Sequence, residues 1–176
     1  MEWRTHPALS GKFHPDYPDD IQVIIHDGGP RITTLNPEAA WVTVTGVDGD
    51  VFSGRLIITP TQVSSVRLNQ SIRFIATSNN HPLMVSDKYL EERPSWLIGA
   101  CHTCGFDELL DAPSDLIKAV FPNIPADAEM ETFTAFCGAC GGAQIVEARP
   151  APKAAAPLAD AAQSAASERP WWKRWG

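Results

Sequence analysis

The sequence predicts an α+β chain, mainly β, with a small β-rich module, a second cysteine-bearing module, one or two short helices and a disordered C-terminal tail. Three observations carry this. Short apolar stretches broken by Gly, Asp and Pro turns fill residues 21–98. Two C-x-x-C pairs fall within residues 99–148. From residue 149 onward large apolar side chains almost vanish, until three tryptophans close the chain.

Length and composition set the frame. A chain of 176 residues with 44% hydrophobic and 20% charged residues suits one ordinary domain, or two small ones with a tail. Its net charge of −7 gives no global attraction to nucleic acid or anionic lipid. No apolar run reaches the roughly 20 residues that span a bilayer. The opening MEWRTHPALSGKFHPDYPDD holds no apolar signal-peptide core, and the cysteines come as close pairs, so a cytosolic location is expected.

Residues 1–20 are polar and proline-rich and read as an extended lead-in to a β-rich module over 21–98. IQVII, from Ile21, is a short strand stopped by HDGGP. AAWVTVTGVDGDVFSGRLII is a hairpin: Trp41, Thr43 and Thr45 alternate with Val42, Val44 and Gly46, and Asp48-Gly49-Asp50 makes the turn. Gly54 within the returning strand predicts a bulge or a close backbone approach. SIRFIAT, Ser71–Thr77, is a further strand. Ser86 caps a helix with Tyr89 and Leu90 inward, ended by Pro94. Ser114 reads as the cap of a second helix with Leu116, Ile117 and Val120 on one face, stopped by Pro122. Residues 129–147 alternate around the second cysteine pair as strand, turn, strand.

Cys101-His-Thr-Cys104 and Cys137-Gly-Ala-Cys140 are each followed by glycine. Two intervening residues let one tight turn aim both sulfurs at one metal, and the glycine allows the positive φ such turns need. Two pairs together supply four thiolates, the tetrahedral shell that structural Zn²⁺ favours. A redox C-x-x-C needs one pair at a helix start after a strand, a weaker match here. His102 lies between two ligating positions, where a side chain normally points away. Residues 99–148 thus resemble zinc ribbons, with the Ser114 helix inserted between the knuckles. The resemblance implies a structural zinc on Cys101, Cys104, Cys137 and Cys140, and a local fold, but no particular role. From Cys101 to Glu147 the acids are Asp107, Glu108, Asp111, Asp115, Asp127, Glu129, Glu131 and Glu147, against Lys118 alone. That surface repels phosphate, and a four-cysteine shell leaves no position for a catalytic water.

Within Trp41–Trp96, the segments Trp41-Val-Thr-Val, Phe52-Ser-Gly54-Arg-Leu56, Pro60 and Leu68–Phe74 carry a second resemblance. They resemble the YegJ-like group of small bacterial β-rich domains. Asn69-Gln70 stands where that group commonly has glycine, and Pro94-Ser95-Trp96 matches its terminal tryptophan segment loosely. The resemblance implies an accessory or immunity-type protein that binds another protein.

Two other readings stand beside it. One is a hydrolase-like enzyme in which His26 and Asp27, at a strand end, converge with another polar group in a pocket; the plainer reading of HDGG is a polar turn. No G-x-S-x-G, phosphate loop or H-E-x-x-H is present. The other is a nucleic-acid-associated ribbon with a basic stripe of Arg55, Arg67 and Arg73 on the β module.

Residues 149–169, rich in Ala and Pro, carry only Leu158 as a large apolar residue and read as a flexible linker. Residues 170–176, PWWKRWG, follow. In a helix, Trp171, Trp172 and Trp175 share one side, away from Lys173 and Arg174. Three fates are open to this peptide: return to its own domain, weak contact with a membrane surface, or docking on a protein partner through the tryptophans with Lys173 and Arg174. The last is expected, and the sequence as a whole predicts a non-enzymatic, protein-binding adaptor.

Overall fold

The structure, a computed structural model, describes residues 2–78, 81–125 and 128–150. The chain is mostly strands with two short helices, arranged as a closed five-stranded barrel followed by a three-stranded sheet. The expected linker and the PWWKRWG peptide lie outside the described residues.

The barrel runs β1 Asp20–Ile25, β2 Glu38–Asp48, β3 Val51–Leu56, β4 Ser71–Ile75 and β5 Leu83–Met84, each hydrogen-bonded to the next. Every step is antiparallel, so β5 returns in the direction of β1 and the closing pair is parallel. That seam is short: Ile24 stands opposite Leu83, and the Ile24 N–H donates to the Pro82 carbonyl over 2.8 Å. Alternation decides the interior. Ile21, Val23 and Ile25 of β1, Val42 and Val44 of β2, and Phe52 and Leu56 of β3 all face in and are buried. Phe52 and Phe74 stack at 5.5 Å between centroids in their midst.

The hairpin turn falls where the sequence puts it. The bulge does not: the register shifts between Val44 and Gly46, on the strand opposite Gly54. Gly54 is instead the close approach, since a Cβ there would lie 2.3 Å from Val42 Cγ1. Asn69 takes a φ of 67°, the left-handed backbone that glycine usually supplies and asparagine tolerates.

Residues 1–20 differ from the extended lead-in expected. Glu2–Thr5 and Pro7–Leu9 form 3-10 turns, and Leu9 is fully buried in the barrel core with Trp3 against it. A composition rich in proline and charge hides two apolar anchors at irregular spacing, which no periodicity announces.

Beyond the barrel, α1 (Asp87–Glu92) is capped by the Ser86 hydroxyl accepting from the Tyr89 N–H, as expected, and passes into a 3-10 turn at Arg93–Ser95. The second helix, α2 (Pro113–Val120), starts differently. Ala112 occupies the cap and Pro113 the first turn, so Ser114 lies inside the helix. Its N–H and hydroxyl both donate to Glu92, at 2.8 and 2.7 Å. A carboxylate from α1 thus replaces the local cap, and its charge suits a helix N-terminus.

The second sheet has the order β6 (Trp96–Ile98), β8 (Ala143–Ala148), β7 (Thr132–Phe136). Trp96–Ile98 pairs with β8, so the break between the sheets falls before Trp96 and not at residue 98. The inner face of this sheet is not an independent core. Phe133, Ala135 and Val146 pack in one cluster with Ile75, Leu83 and Val85 from the end of the barrel.

Candidate metal centre

The four cysteines sit on two turns of the same construction. In the first, the Cys101 N–H donates to the Phe106 carbonyl and the Gly105 N–H to the Cys101 carbonyl, both over 2.7 Å. In the second, the Cys137 N–H donates to Gly142 over 2.7 Å and the Gly141 N–H to Cys137 over 2.8 Å. The glycine after each pair has positive φ, 76° at Gly105 and 73° at Gly141. The C-x-x-C-G repeat is therefore a repeat of backbone geometry. The turns lie against each other: a Cβ on Gly142 would come within 2.9 Å of the Cys101 sulfur.

This brings Cys101, Cys104, Cys137 and Cys140 together, with all four sulfurs within 4.8 Å of one another. Cys101 and Cys140 are 3.5 Å apart, Cys104 and Cys137 3.6 Å. A disulfide needs about 2.05 Å. Four thiolates around one ion at metal–sulfur bonds of about 2.3 Å lie about 3.8 Å apart along the tetrahedral edges. The spacing suits a shared metal ion, and no disulfide is formed. The first cysteine of each pair is buried and the second exposed, so the cluster opens to solvent on one side.

Burial opposes charge at Cys101, but N–H groups of Cys104 and Thr103 outweigh it and bring that thiol down to about 6. At Cys137 burial dominates and pushes the thiol up to about 12. Four sulfurs this close cannot all ionise unless positive charge sits among them. His102, between the first pair, turns away as expected and sets its Nδ1 3.1 Å from the Ala143 carbonyl.

Two buried polar groups to which the sequence reading gave no structural role hold this region. Gln144, on the inner face of β8, places its amide nitrogen 2.8 Å from the Phe106 carbonyl and 3.3 Å from those of Gly99 and Glu108. It thereby ties both flanks of the first cysteine turn to the sheet. Glu108, also buried, accepts from the Tyr89 hydroxyl and from Arg93 Nη2 at 2.6 Å and Nε at 3.1 Å. A glutamine in a β alternation and a glutamate in a loop give no pattern by which to find them.

His26 and Asp27 line an open groove of about 510 Å³ between the barrel and the segment joining the cysteine pairs, together with Arg73, Asp87, Asp111 and Asp115. Backbone engages both ring nitrogens of His26: Nε2 faces the Met84 carbonyl at 2.8 Å and Nδ1 accepts from the Gly28 N–H at 3.1 Å. Burial lowers its pKa below 6.5 and favours the neutral ring, which fits one donor and one acceptor. The first of these bonds reinforces the short barrel seam. Asp27 accepts from the N–H groups of Ser64 and Ser65 and from the Ser64 hydroxyl, holding the 64–65 loop. Of the three arginines considered for nucleic acid, Arg73 is paired with Asp87 at 2.5 Å.

Among the described residues no helix is long and apolar enough to cross a membrane. No protein-family model matches the chain, and no curated protein or solved structure does.

Proposed function

We propose that this chain is a non-enzymatic zinc-ribbon protein that acts as a protein-binding adaptor or accessory factor, with residues 170–176 as its recognition peptide. The observation that carries the reading is the pair of matching turns that gathers four sulfurs at near-tetrahedral spacing. Zinc is the ion that a closed four-thiolate shell suits best, and in such a shell it is structural. The engagement of His26 and Asp27 by backbone supports a structural use of those groups as well. All four cysteines serve the metal, which leaves no thiol nucleophile. The resemblance of Trp41–Trp96 to the YegJ-like group favours an immunity-type accessory role over a scaffold of some other kind.

Two experiments test this. Cys101→Ser abolishes zinc retention and loosens the second sheet; a variant that folds and melts as the parent does overturns the metal reading. Cross-linking in cells with the full chain captures a protein partner that the variant Trp171→Ala, Trp172→Ala, Trp175→Ala loses. Capture that is equal for both overturns the recognition-peptide reading.

A further inference from the structure

The outer face of the second sheet mixes Thr132, Thr134 and Glu147 with three exposed apolar side chains. Strands that face water on one side place polar residues outward. In β8 the inward row holds Gln144 and Val146, while the outward row holds Ile145 and Glu147. The register puts Leu97 of β6 opposite Glu147, Thr134 of β7 opposite Ile145, and Phe136 at the far end opposite Ala143. Leu97, Ile145 and Phe136 are 44%, 56% and 37% exposed. Arg31 covers part of Phe136, with its guanidinium 4.6 Å from the ring centroid. Beside Leu97 and Ile145, the Glu147 carboxylate forms no ion pair or hydrogen bond among the described residues. Leu97 and Ile145 flank the Glu147 carboxylate, and Phe136 extends the apolar surface to the other end of the face; such a surface suits an apolar, cationic cover.

The chain supplies one. Five of its 14 basic residues and two of its 21 acidic residues lie in 149–176, so that segment carries +3 and residues 1–148 carry −10. The segment leaves from the end of β8 itself. There the Arg149 N–H donates to the Ser95 carbonyl over 2.8 Å, and Arg149 Nε donates to the Trp96 carbonyl over 3.3 Å. Both bonds continue the β6–β8 pairing as far as Arg149, beside the strand that carries Leu97. From Pro150, 21 residues lead to Trp171, and a coil of that length spans roughly 25 Å, while six residues of strand span about 20 Å. A tether of that length is long enough for the peptide to reach the whole face, at an effective concentration on the order of millimolar.

We propose that residues 170–176 cover the outer face of the second sheet of their own chain. Trp171, Trp172 and Trp175 lie over Leu97, Ile145 and Phe136, and Lys173 or Arg174 meets Glu147. The inference rests on reading 170–176 as a docking peptide and adds its resting place: a partner competes with this face for the tryptophans, and release exposes both surfaces together.

The test uses full-length, zinc-loaded protein. Nuclear Overhauser contacts are expected from the indole protons of Trp171, Trp172 and Trp175 to the methyls of Ile145 and Leu97. Trypsin should cut after Lys173 and Arg174 at least tenfold more slowly in the parent than in Ile145→Asp. Ile57→Asp, an exposed site on the barrel side, keeps the parent's rate. Absent contacts together with parent cleavage as fast as that of Ile145→Asp overturn the proposal. Protection that grows with protein concentration assigns the face to a second copy and overturns it too. So does protection that appears only with phosphatidylcholine–phosphatidylserine vesicles. If these results fail while the triple tryptophan variant still loses its cross-linked partner, the cis contact falls and the recognition-peptide reading stands.

Discussion

In the barrel, every strand has a hydrogen-bonded neighbour on both sides, and Leu9, Ile21, Val23, Val42, Phe52, Leu56 and Phe74 form a core of its own. In the second sheet, β6 and β7 each pair on one side only, and the inner face borrows Ile75, Leu83 and Val85 from the barrel end. The first unit is closed by its backbone. The second is small, and small units need a clip; under the proposed zinc reading the four cysteines are that clip. The difference teaches where each kind of stability resides. Apolar burial holds the barrel, while a cysteine cluster spaced to hold a metal ion and a few buried polar ties anchor the sheet against it.

The largest expected effect separates the two units. Removal of the metal by a chelator should abolish amide-exchange protection in Thr132–Phe136 and Ala143–Ala148 and leave that of Ile21–Ile25 and Val51–Leu56. Structural zinc contributes about 10–16 kcal/mol of apparent binding energy in small zinc-finger peptides, so a clear loss is expected. Equal loss in both units would break the comparison. The converse change is Phe74→Ala, which removes a fully buried ring stacked on Phe52. It should cost about 3–5 kcal/mol of stability by denaturant titration while the metal content per chain stays the same.

A third change addresses the junction. Glu108→Ala deprives Tyr89 and Arg93 of their shared acceptor. Arg93 is partly exposed, so the cost should be about 2–3 kcal/mol, below the 3–5 of a fully buried pair. It should weaken both units, because Tyr89 belongs to α1, which follows directly on β5. Glu108→Gln should recover part of the loss.

The smallest effect is a pH dependence at the seam. Burial holds the folded-state pKa of His26 below 6.5. The unfolded chain therefore binds the proton first, and the contribution of the neutral ring is complete above pH 6.5 and declines as pH falls through the folded value. Unfolding measured between pH 7 and 5 should show this decline in the parent. His26→Gln should remove this contribution to the slope; an unchanged slope would take His26 out of the seam.

Most strands of the barrel and the cysteine cluster were legible in the sequence, for physical reasons that differ, while the closure of the barrel was not. Ile21–Ile25 is a short apolar run closed by turn residues, and the hairpin alternates on either side of Gly49, with burial following that alternation up to the register shift at Val44. The cysteine pairs were legible because metal geometry is local, two residues apart with a glycine behind. Leu83–Met84 was not, since two residues have no period and close the barrel only because β1 waits opposite. Trp96–Ile98 joins a sheet whose other strands lie more than 30 residues on. Ser114 was read as a cap by local chemistry, but Pro113 takes the helix start and Glu92 arrives from another helix. Leu9 and Gln144 are placed by tertiary contact alone.

The central claim is that two matching turns close a four-thiolate shell on one zinc ion. Zinc-edge X-ray absorption on the full-length protein tests it most directly. One zinc per chain with four sulfur neighbours at about 2.3 Å is expected. A chain without zinc, or zinc bound by fewer than four sulfurs with nitrogen or oxygen in the shell, would contradict it.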